Sequence, residues 1–374
     1  MAEHSGRTSI RRLIVPRLGD TAAPWDELVT QAAVPSPFLR SWWLDAVADE
    51  KSEFILVLEA GTVVGGIALE RRRRVLGVPI YRFAGSGALC PDHLDLLAAR
   101  GKEGIVRAAI TEWFTQSGSR VLDLEGLVED SLLEQTFPAA RTTTTDLAPW
   151  DQLPASAADY VVTLSANLRK TLRQTKRRFA AAGVSHRRIA YRNASRGDNA
   201  AAAALDEFTE LQKLRGGRGA LLRETPRLVP ALMVGLDRGE VRIDILETDD
   251  RVILVLISFQ LGRAVRLYQS ARRLDDEWRD ALAVALLEVV RQACEDGCRE
   301  LDLLRGDESY KSRFVRRKRQ IRHLRAAHGL FGAVILATMG AFRRLRNLAG
   351  RVRRRLRKHS ARRGPRGMQS AASG

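Results

Sequence analysis

Residues 241–270, with the sequence VRIDILETDDRVILVLISFQLGRAVRLYQS, decide the fold of this chain. The stretch contains three apolar runs, which are Val241–Glu247, Val252–Leu261 and Ala264–Ser270. Four polar residues separate the first two runs, and the pair Gly262-Arg263 separates the last two. Short apolar runs divided by turn residues are typical of antiparallel strands joined by tight turns. The stretch therefore predicts a three-stranded meander.

A helix and a further strand are predicted after this meander. Apolar residues in Glu277–Glu295 recur at helical spacing, and Gly297 is typical of a helix C-terminus. Arg299–Leu304 then has the pattern of a short strand that ends at Arg305-Gly306.

Two helices are predicted before the meander. Ser165 suits the N-cap of a helix of about 18 residues that ends at Gly183, and a second helix covers approximately Asp198–Arg215. Tyr160–Leu164, ahead of them, is predicted to be a strand. Helices combined with an antiparallel meander indicate the α+β class.

The N-terminal half repeats the order of these elements. Its predicted strands and helix are Phe54–Glu59, Val63–Glu70, Val78–Phe83, the helix Glu103–Gln116 and the strand Arg120–Leu124. ILVLE at residues 55–59 resembles IDILE at residues 243–247, and Leu122-Asp123-Leu124 resembles Leu301-Asp302-Leu303. Because the order is kept and the spacing is similar, a tandem duplication is indicated.

The duplication predicts three parts of the chain. Residues 1–150 form an N-terminal unit, residues 151–328 a C-terminal unit, and residues 329–374 a basic tail. Leu147–Ser156 (LAPWDQLPAS) is rich in proline and small residues, which favours a linker between the units.

The net charge of +18 is concentrated at the C-terminus. Residues 311–374 contain 20 Lys and Arg and no Asp or Glu. Leu345, Leu348, Val352 and Leu356 recur among these cations at helical spacing, which predicts a basic amphipathic helix on an anionic membrane surface. Residues after Ser360 are predicted to be disordered. RNA is the competing partner, although the tail lacks aromatic residues for base stacking.

Several classes of protein are disfavoured by the sequence. Three cysteines, Cys90, Cys294 and Cys298, are too few for a disulfide framework, and core packing is the interpretation favoured for the last two. The N-terminus lacks the apolar run of a signal peptide. The apolar run Leu330–Phe342 is too short to cross a bilayer. We expect a cytoplasmic protein, with peripheral attachment to the inner face of the cell membrane left open.

The predicted helix at Leu164–Gly183 carries a basic stripe. Leu168 and Leu172 lie on one face, and Arg169 and Arg173 lie on another. Guanidinium groups match phosphate oxygens, so these two arginines are candidates for holding a phosphorylated donor. A solvated helix face is the alternative.

Two further stretches carry candidate site residues. The strand end at Leu301–Phe314 contains Asp302, which can orient a cation or accept a proton, and Tyr310 and Lys311, which can donate to an oxyanion or a phosphate. A surface turn is the alternative there. The turn after the third meander strand lacks glycine, so Arg272 and Arg273 are the candidates for binding phosphate in it.

Three stretches together resemble a known family. They are PFLRSWWLDA at residues 37–46, LSANLRKTLRQTKRRFAAAG at residues 164–183 and RELDLLRGDESYKSRF at residues 299–314. Their order and spacing are similar to those of the GNAT-related acetyltransferases that include CelD-type cellulose-biosynthesis proteins. That family is allied to the Fem peptidyltransferases.

The resemblance implies two acyl-CoA N-acyltransferase (GNAT) units in tandem. It implies an enzyme that moves an acyl group, acetyl above all, from acyl-CoA to an amine or hydroxyl of a cell-envelope or polysaccharide precursor. Acyl-CoA is then a co-substrate, with no permanently bound cofactor and no metal. Asp302 becomes the candidate base or orienting group, and Tyr268, Tyr310 and Lys311 become candidates for stabilising developing charge.

Two alternatives stay open. The duplicated fold can serve as a non-catalytic scaffold in exopolysaccharide assembly. It can also transfer an amino acid from aminoacyl-tRNA, the donor that the resemblance to Fem proteins implies.

Overall fold

The computed structural model describes residues 9–190, 199–306 and 308–341. The strands in these ranges belong to one sheet and are β1 (Ile10–Val15), β2 (Ser52–Glu59), β3 (Thr62–Val75), β4 (Val78–Phe83), β5 (Leu97–Ala98), β6 (Arg120–Leu127), β7 (Arg141–Gln152), β8 (Ser185–Ile189), β9 (Val241–Glu247), β10 (Val252–Leu261), β11 (Ala264–Arg272), β12 (Glu300–Asp302) and β13 (Arg317–His328). The α-helices with defined bounds are α1 (Ala22–Gln31), α2 (Ser41–Val47), α3 (Glu103–Thr115), α4 (Leu132–Thr136), α5 (Ala157–Thr163), α6 (Ala166–Ala181), α7 (Ala200–Lys213), α8 (Gly219–Arg223), α9 (Thr225–Asp237) and α10 (Ala281–Glu295). Residues 329–341 are helical as well.

The sheet confirms the predicted α+β class and the repeat. Its order is β1-β2-β3-β4-β6-β13-β7-β12-β11-β10-β9-β8, with β5 beside β3. In the first half β2, β3 and β4 form a meander, α3 follows, and β6 lies parallel to β4. In the second half β9, β10 and β11 form the meander, α10 follows, and β12 lies parallel to β11.

A buried carboxylate marks the same place in both halves. Asp123 on β6 lies 3.3 Å from the Nη2 atom of Arg82, which is on β4. Asp302 on β12 is in register with Arg266 on β11. In each half, an arginine on the third meander strand therefore lies beside an aspartate on the strand that follows the long helix. This correspondence supports the duplication independently of the short sequence matches.

The two halves exchange their last strands. β7 follows β6 in the chain but pairs with β12 of the second half, and β13 follows β12 but pairs with β6 of the first half. β7 and β13 also pair with each other, so the sheet is continuous across the centre. Each half-sheet therefore ends on a strand that the other half supplies.

This exchange corrects the predicted linker. Residues 147–152 of the proposed linker Leu147–Ser156 belong to β7. Proline content suggested a loop, but the Pro149 carbonyl accepts a hydrogen bond from the Leu303 amide (2.8 Å) and the strand tolerates the missing N–H. Residue 150 lies within β7, and the division into units at that residue stays a prediction.

Local capping explains a second correction. Tyr160–Leu164 is not a strand but belongs largely to α5, because the Ser156 side chain accepts a hydrogen bond from the Asp159 amide and starts a helix. Ser165 caps α6 in the same way, as predicted, through the Leu168 amide. Gly183, with φ at 69°, ends that helix region in the left-handed conformation.

An aromatic cluster joins the first half to the second. Phe38, in the turn before α2, and Trp43 of α2 pack edge-on against Phe259 of β10 and Tyr268 of β11. Phe259 and Tyr268 stack with their ring centres 4.9 Å apart. The cluster fixes Tyr268 at the contact between the halves.

The tail is described only in part. The predicted last strand, Ile321–His328, is confirmed within β13. The predicted amphipathic helix over Leu345–Leu356 and the disorder after Ser360 lie outside the described residues. Among the residues that are described, no helix combines the length and apolarity needed to cross a membrane.

Candidate functional site

The splaying of two parallel strands opens a cavity in the second half. β11 pairs with β12 only from Ala264 to Arg266, after which β12 ends and β11 continues to Arg272. A cavity of about 740 Å³ lies beside this continuation of β11. Its walls come from β11, the first turn of α10, the segment after β12, the segment after α7, and the segment around Cys90 in the first half.

The structure brings four of the predicted site residues to this cavity. Tyr268, Arg272, Tyr310 and Lys311 line it. Asp302 is fully buried at the end of β12 and is not part of the lining.

The other three candidates lie elsewhere. Arg273 is outside the lining and donates to the Val252 carbonyl. Arg169 donates to the Val162 and Leu164 carbonyls at the end of α5. Arg173 is exposed on α6, and Phe179 of that helix packs against Trp278 in the turn before α10. No residue of α6 lines the cavity.

Asp302 is the centre of a buried charge network. Its Oδ2 atom accepts hydrogen bonds from His93 Nε2 (2.8 Å) and Arg319 Nη1 (2.9 Å), and its Oδ1 atom accepts one from the Leu304 amide (2.8 Å). Burial disfavours its charge, but His93, Arg266 and Arg319 hold the pKa of Asp302 well below its usual range. Of the two roles predicted for Asp302, this geometry favours the orienting group over the base.

His93 was missed by the sequence analysis. Its ring is buried between the two halves, and its Nδ1 atom makes no hydrogen bond to a described residue. The backbone of His93 is in the left-handed conformation, with φ at 57°. Asp302 is 209 residues away in the chain, so no local pattern could have joined the two.

Lys311 and Tyr310 have different environments. The buried Nζ atom of Lys311 donates to the carbonyls of Leu304 (3.1 Å) and Arg305 (2.6 Å) and pairs with Glu308 (2.9 Å), which fixes the segment after β12. The Tyr310 hydroxyl makes no hydrogen bond to a described residue, and burial raises the pKa of Tyr310, so the phenol stays protonated. Tyr310 is available as a proton donor, and Lys311 is a positioning residue.

The first half closes one side of the cavity. The Tyr268 hydroxyl donates to the Leu89 carbonyl (3.0 Å). Arg305 binds Asp92 through its Nε atom and its backbone amide, and it donates to the Pro91 carbonyl (2.6 Å). These contacts hold Cys90 and Asp92 against the cavity.

Three arginines of the cavity were only partly anticipated. Arg215 and Arg218 flank the pair Gly216-Gly217 and were not among the predicted site residues, whereas Arg272 was predicted. Burial and the nearby charges of Arg218 and Arg272 lower the pKa of Arg215. Like charges gathered in this way create a positive potential that suits an anionic ligand.

The family match falls on the half that contains this cavity. Residues 166–312 match a family model described as an acetyltransferase (GNAT) domain. The match includes α10 and the two strands β11 and β12, which separate to form the cavity. A sequence search of the curated proteins finds no match. The predicted resemblance to GNAT acetyltransferases therefore has a family match over residues 166–312, and the finer relationship to CelD-type proteins stays a prediction.

Three solved structures share the fold over most of the chain. FemX aligns with a TM-score of 0.59 and 11% identity, covering 84% of this chain and 96% of FemX. A conserved protein of unknown function from Bacteroides thetaiotaomicron aligns with a TM-score of 0.56 and 11% identity, covering 85% of this chain and 100% of its own. The C-terminal domain of a protein described as a lysylphosphatidylglycerol synthetase from Agrobacterium fabrum aligns with a TM-score of 0.54 and 11% identity. The alignment covers 87% of this chain and 96% of that domain. At this identity they establish the fold alone.

Proposed function

We propose that the protein is an acyltransferase that moves an acyl group from acyl-CoA to an amine or hydroxyl acceptor. The observation that carries this proposal is the cavity beside β11, most of whose lining belongs to the region that matches an acetyltransferase (GNAT) domain. Helix α10 is 15 residues long, and its first turn lines the cavity. Backbone N–H groups at such a helix start attract phosphate oxygens. Acyl-CoA would lie along β11 with its phosphates toward Arg279 and α10.

The transfer needs no covalent intermediate on the enzyme. The acceptor nitrogen or oxygen attacks the thioester carbonyl carbon and forms a C–N or C–O bond, while the C–S bond breaks. The acceptor loses a proton to solvent in the open cavity, and the departing thiolate takes a proton. The Tyr310 phenol is the proposed donor of that proton, because it lines the cavity and stays protonated.

The remaining site residues have supporting roles in this proposal. Lys311 holds the segment that carries Tyr310, and Tyr268 ties β11 to the first half. Asp302 orients His93 at the contact between the halves. The acceptor would enter between the halves, beside Asp92, and we propose that it is a cell-envelope or polysaccharide precursor.

A non-catalytic scaffold is the second candidate function, and one observation favours it. The carbonyl of Ser270, on the part of β11 beyond β12, accepts hydrogen bonds from the side chains of Gln212 (3.2 Å) and Arg215 (3.3 Å). These side chains use a backbone carbonyl of β11 to which a bound donor could otherwise form a hydrogen bond. Asp280, an acidic residue at the start of α10, also lines the cavity.

Calorimetric titration of the full chain with acetyl-CoA and longer acyl-CoAs separates these candidates. We expect saturable binding of one acyl-CoA per chain, at the cavity beside β11. Failure to bind at millimolar ligand would refute acyl-CoA as the donor and support the scaffold. Titration with aminoacyl-tRNA then tests the third alternative, which predicts steeply salt-dependent binding.

We also propose that the C-terminal part of the chain binds an anionic membrane surface. Leu330, Phe331 and Val334 in the helical residues 329–341 are 77%, 62% and 48% exposed. Leu76, at the tip of the β3–β4 hairpin, is 82% exposed, and its neighbour Val75 packs against the same small cluster as Met339 of this helix. Exposed apolar side chains beside a strongly cationic sequence are typical of proteins that dock on anionic bilayers.

Vesicle sedimentation tests this membrane proposal. We expect the full chain to bind vesicles that contain phosphatidylglycerol and not vesicles of phosphatidylcholine alone, with binding that weakens at high salt. The double variant L330S/F331S should bind at least about tenfold more weakly, because two large apolar side chains no longer enter the bilayer. Leu274→Ser is the matched control, since Leu274 is 54% exposed in the turn before α10. Equal binding by the double variant, or binding of RNA in place of vesicles, would contradict the proposal.

A further inference from the structure

Among the described residues, the lining of the cavity carries more positive than negative charge. Its lining includes the basic residues Arg215, Arg218, Arg272, Arg279, Arg305, Lys311 and Arg313, and the acidic residues Asp92, Asp280 and Glu308. Arg305 is paired with Asp92 and Glu125, and Lys311 is paired with Glu308. In the described part of the chain, no ion pair involves Arg215, Arg218 or Arg272.

Neutral groups hold two of these three arginines in place. Arg215 Nη1 donates to the Ser270 carbonyl (3.3 Å), and Arg272 Nη1 donates to the Arg273 carbonyl (2.9 Å). Neither carbonyl offsets the guanidinium charge. The mutual repulsion of Arg215, Arg218 and Arg272 is strong enough to contribute to lowering the pKa of Arg215. An anion bound among the three would relieve this repulsion.

The arginine cluster lies toward the first half of the chain. Arg218 and Arg305 line the cavity together with Cys90 and Asp92 of the first half. Arg215 lines it together with Glu308 and Tyr310. The proposed donor phosphates, by contrast, approach Arg279 and the first turn of α10. The acceptor, which we place beside Asp92, would therefore meet this cluster.

We propose that Arg215, Arg218 and Arg272 form a phosphate-binding site for the acceptor, so that the acceptor is an amine or hydroxyl compound carrying a phosphate ester or diphosphate. This inference rests on the proposed acyltransferase function. Guanidinium groups bind phosphate oxygens through paired, charge-assisted hydrogen bonds, and three of them can surround a diphosphate. A neutral acceptor would leave the cluster without a counter-charge.

Titration with inorganic pyrophosphate and with a nucleoside diphosphate tests the site in the full chain. We expect both to bind in the presence of saturating acetyl-CoA, because the acceptor and donor sites are separate. Arg215→Gln and Arg218→Gln should each weaken pyrophosphate binding about tenfold or more and change acetyl-CoA affinity less than twofold. Arg279→Gln should weaken acetyl-CoA binding about tenfold or more and change pyrophosphate affinity less than twofold. Arg177→Gln, which removes an exposed charge from α6, controls for attraction to the basic surface in general.

The outcomes distinguish this inference from the proposed function. The phosphate site is refuted if Arg218→Gln binds pyrophosphate as tightly as Arg177→Gln does. The acceptor assignment is refuted if acetyl-CoA displaces pyrophosphate, or if Arg218→Gln weakens both ligands equally, because the cluster would then bind the donor. If acetyl-CoA does not bind and Arg218-dependent pyrophosphate binding persists, the acyltransferase proposal fails while the phosphate site stands.

Discussion

Replacing Asp302 by alanine should lower the free energy of unfolding by about 3–5 kcal/mol, which is the usual cost of removing one partner from a buried charge network. Asp302 and His93 are fully buried, and Arg266 is 1% exposed. Arg266 has its Nε and Nη1 atoms without hydrogen-bond partners among the described residues, and Arg319 donates directly to Asp302. The variant would leave the buried side chains of His93 and Arg266 without this carboxylate, while Arg319 would keep its pair with Glu300. Urea denaturation at pH 7 measures the change.

Two further variants make this expectation specific. Asp206→Ala, at an exposed position of α7, should change the free energy of unfolding by less than about 0.5 kcal/mol. D302N keeps the shape of the side chain and removes its charge. A loss below about 1 kcal/mol in Asp302→Ala would contradict the account of a tightly coupled network, since a solvated carboxylate at this place would behave in that way.

The pH dependence of the same network has a defined sign. The folded protein lowers the pKa of Asp302 from its ordinary value of 3.8, so the ionised carboxylate stabilises the fold above that value. This contribution is lost as the pH falls toward the folded-state pKa. The difference in stability between wild type and D302N should therefore shrink as the pH is lowered from 6 to 3. A constant difference would contradict the lowered pKa.

Tyr310→Phe should reduce acyl transfer about 100-fold, because loss of a general acid typically costs two to four powers of ten. The ring remains, so acetyl-CoA should bind within about threefold of wild type. Burial keeps the phenol protonated across the physiological range, and the hydroxyl lies in the cavity. Release of the free CoA thiol from acetyl-CoA, with water or a screened compound as acceptor, measures the rate.

Tyr81→Phe is the matched control for this variant. Tyr81 belongs to the first half, and its hydroxyl donates to Glu53 (3.0 Å), away from the cavity. We expect it to keep the wild-type rate of thiol release. If Tyr310→Phe kept that rate as well, Tyr310 would not be the proton donor, and the mechanism would need another group.

The sequence predicted elements whose signals are local. The meander at residues 241–270, the long helix after it and the cap at Ser165 were all predicted, because strand breaks, helical spacing and capping residues act over a few neighbours. The match of Leu122-Asp123-Leu124 with Leu301-Asp302-Leu303 correctly located the equivalent strands β6 and β12. Tyr310 and Lys311 were placed at the site because residues after a strand end commonly lie at ligand sites.

The features that failed depend on contacts between distant residues. The exchange of β7 and β13 depends on which strand edges are free after both halves fold, and no neighbour of Pro149 signals it. His93 is joined to Asp302 only by the contact between the halves. Arg169 lies outside the cavity lining, and the sequence could not place it, because helical spacing shows which residues share a face and not what that face contacts.

The most direct test of whether the cavity beside β11 binds the donor is titration of acetyl-CoA into the full chain and into a variant whose cavity is filled. Ala283 lines the cavity from the first turn of α10, and Ala283→Trp would place a large ring where the donor should lie. Ala180→Trp, at an exposed position of α6, is the control for the added bulk. The account predicts one-site binding by wild type and Ala180→Trp and none by Ala283→Trp. Wild-type affinity in Ala283→Trp, or no binding by wild type at millimolar acetyl-CoA, would contradict it.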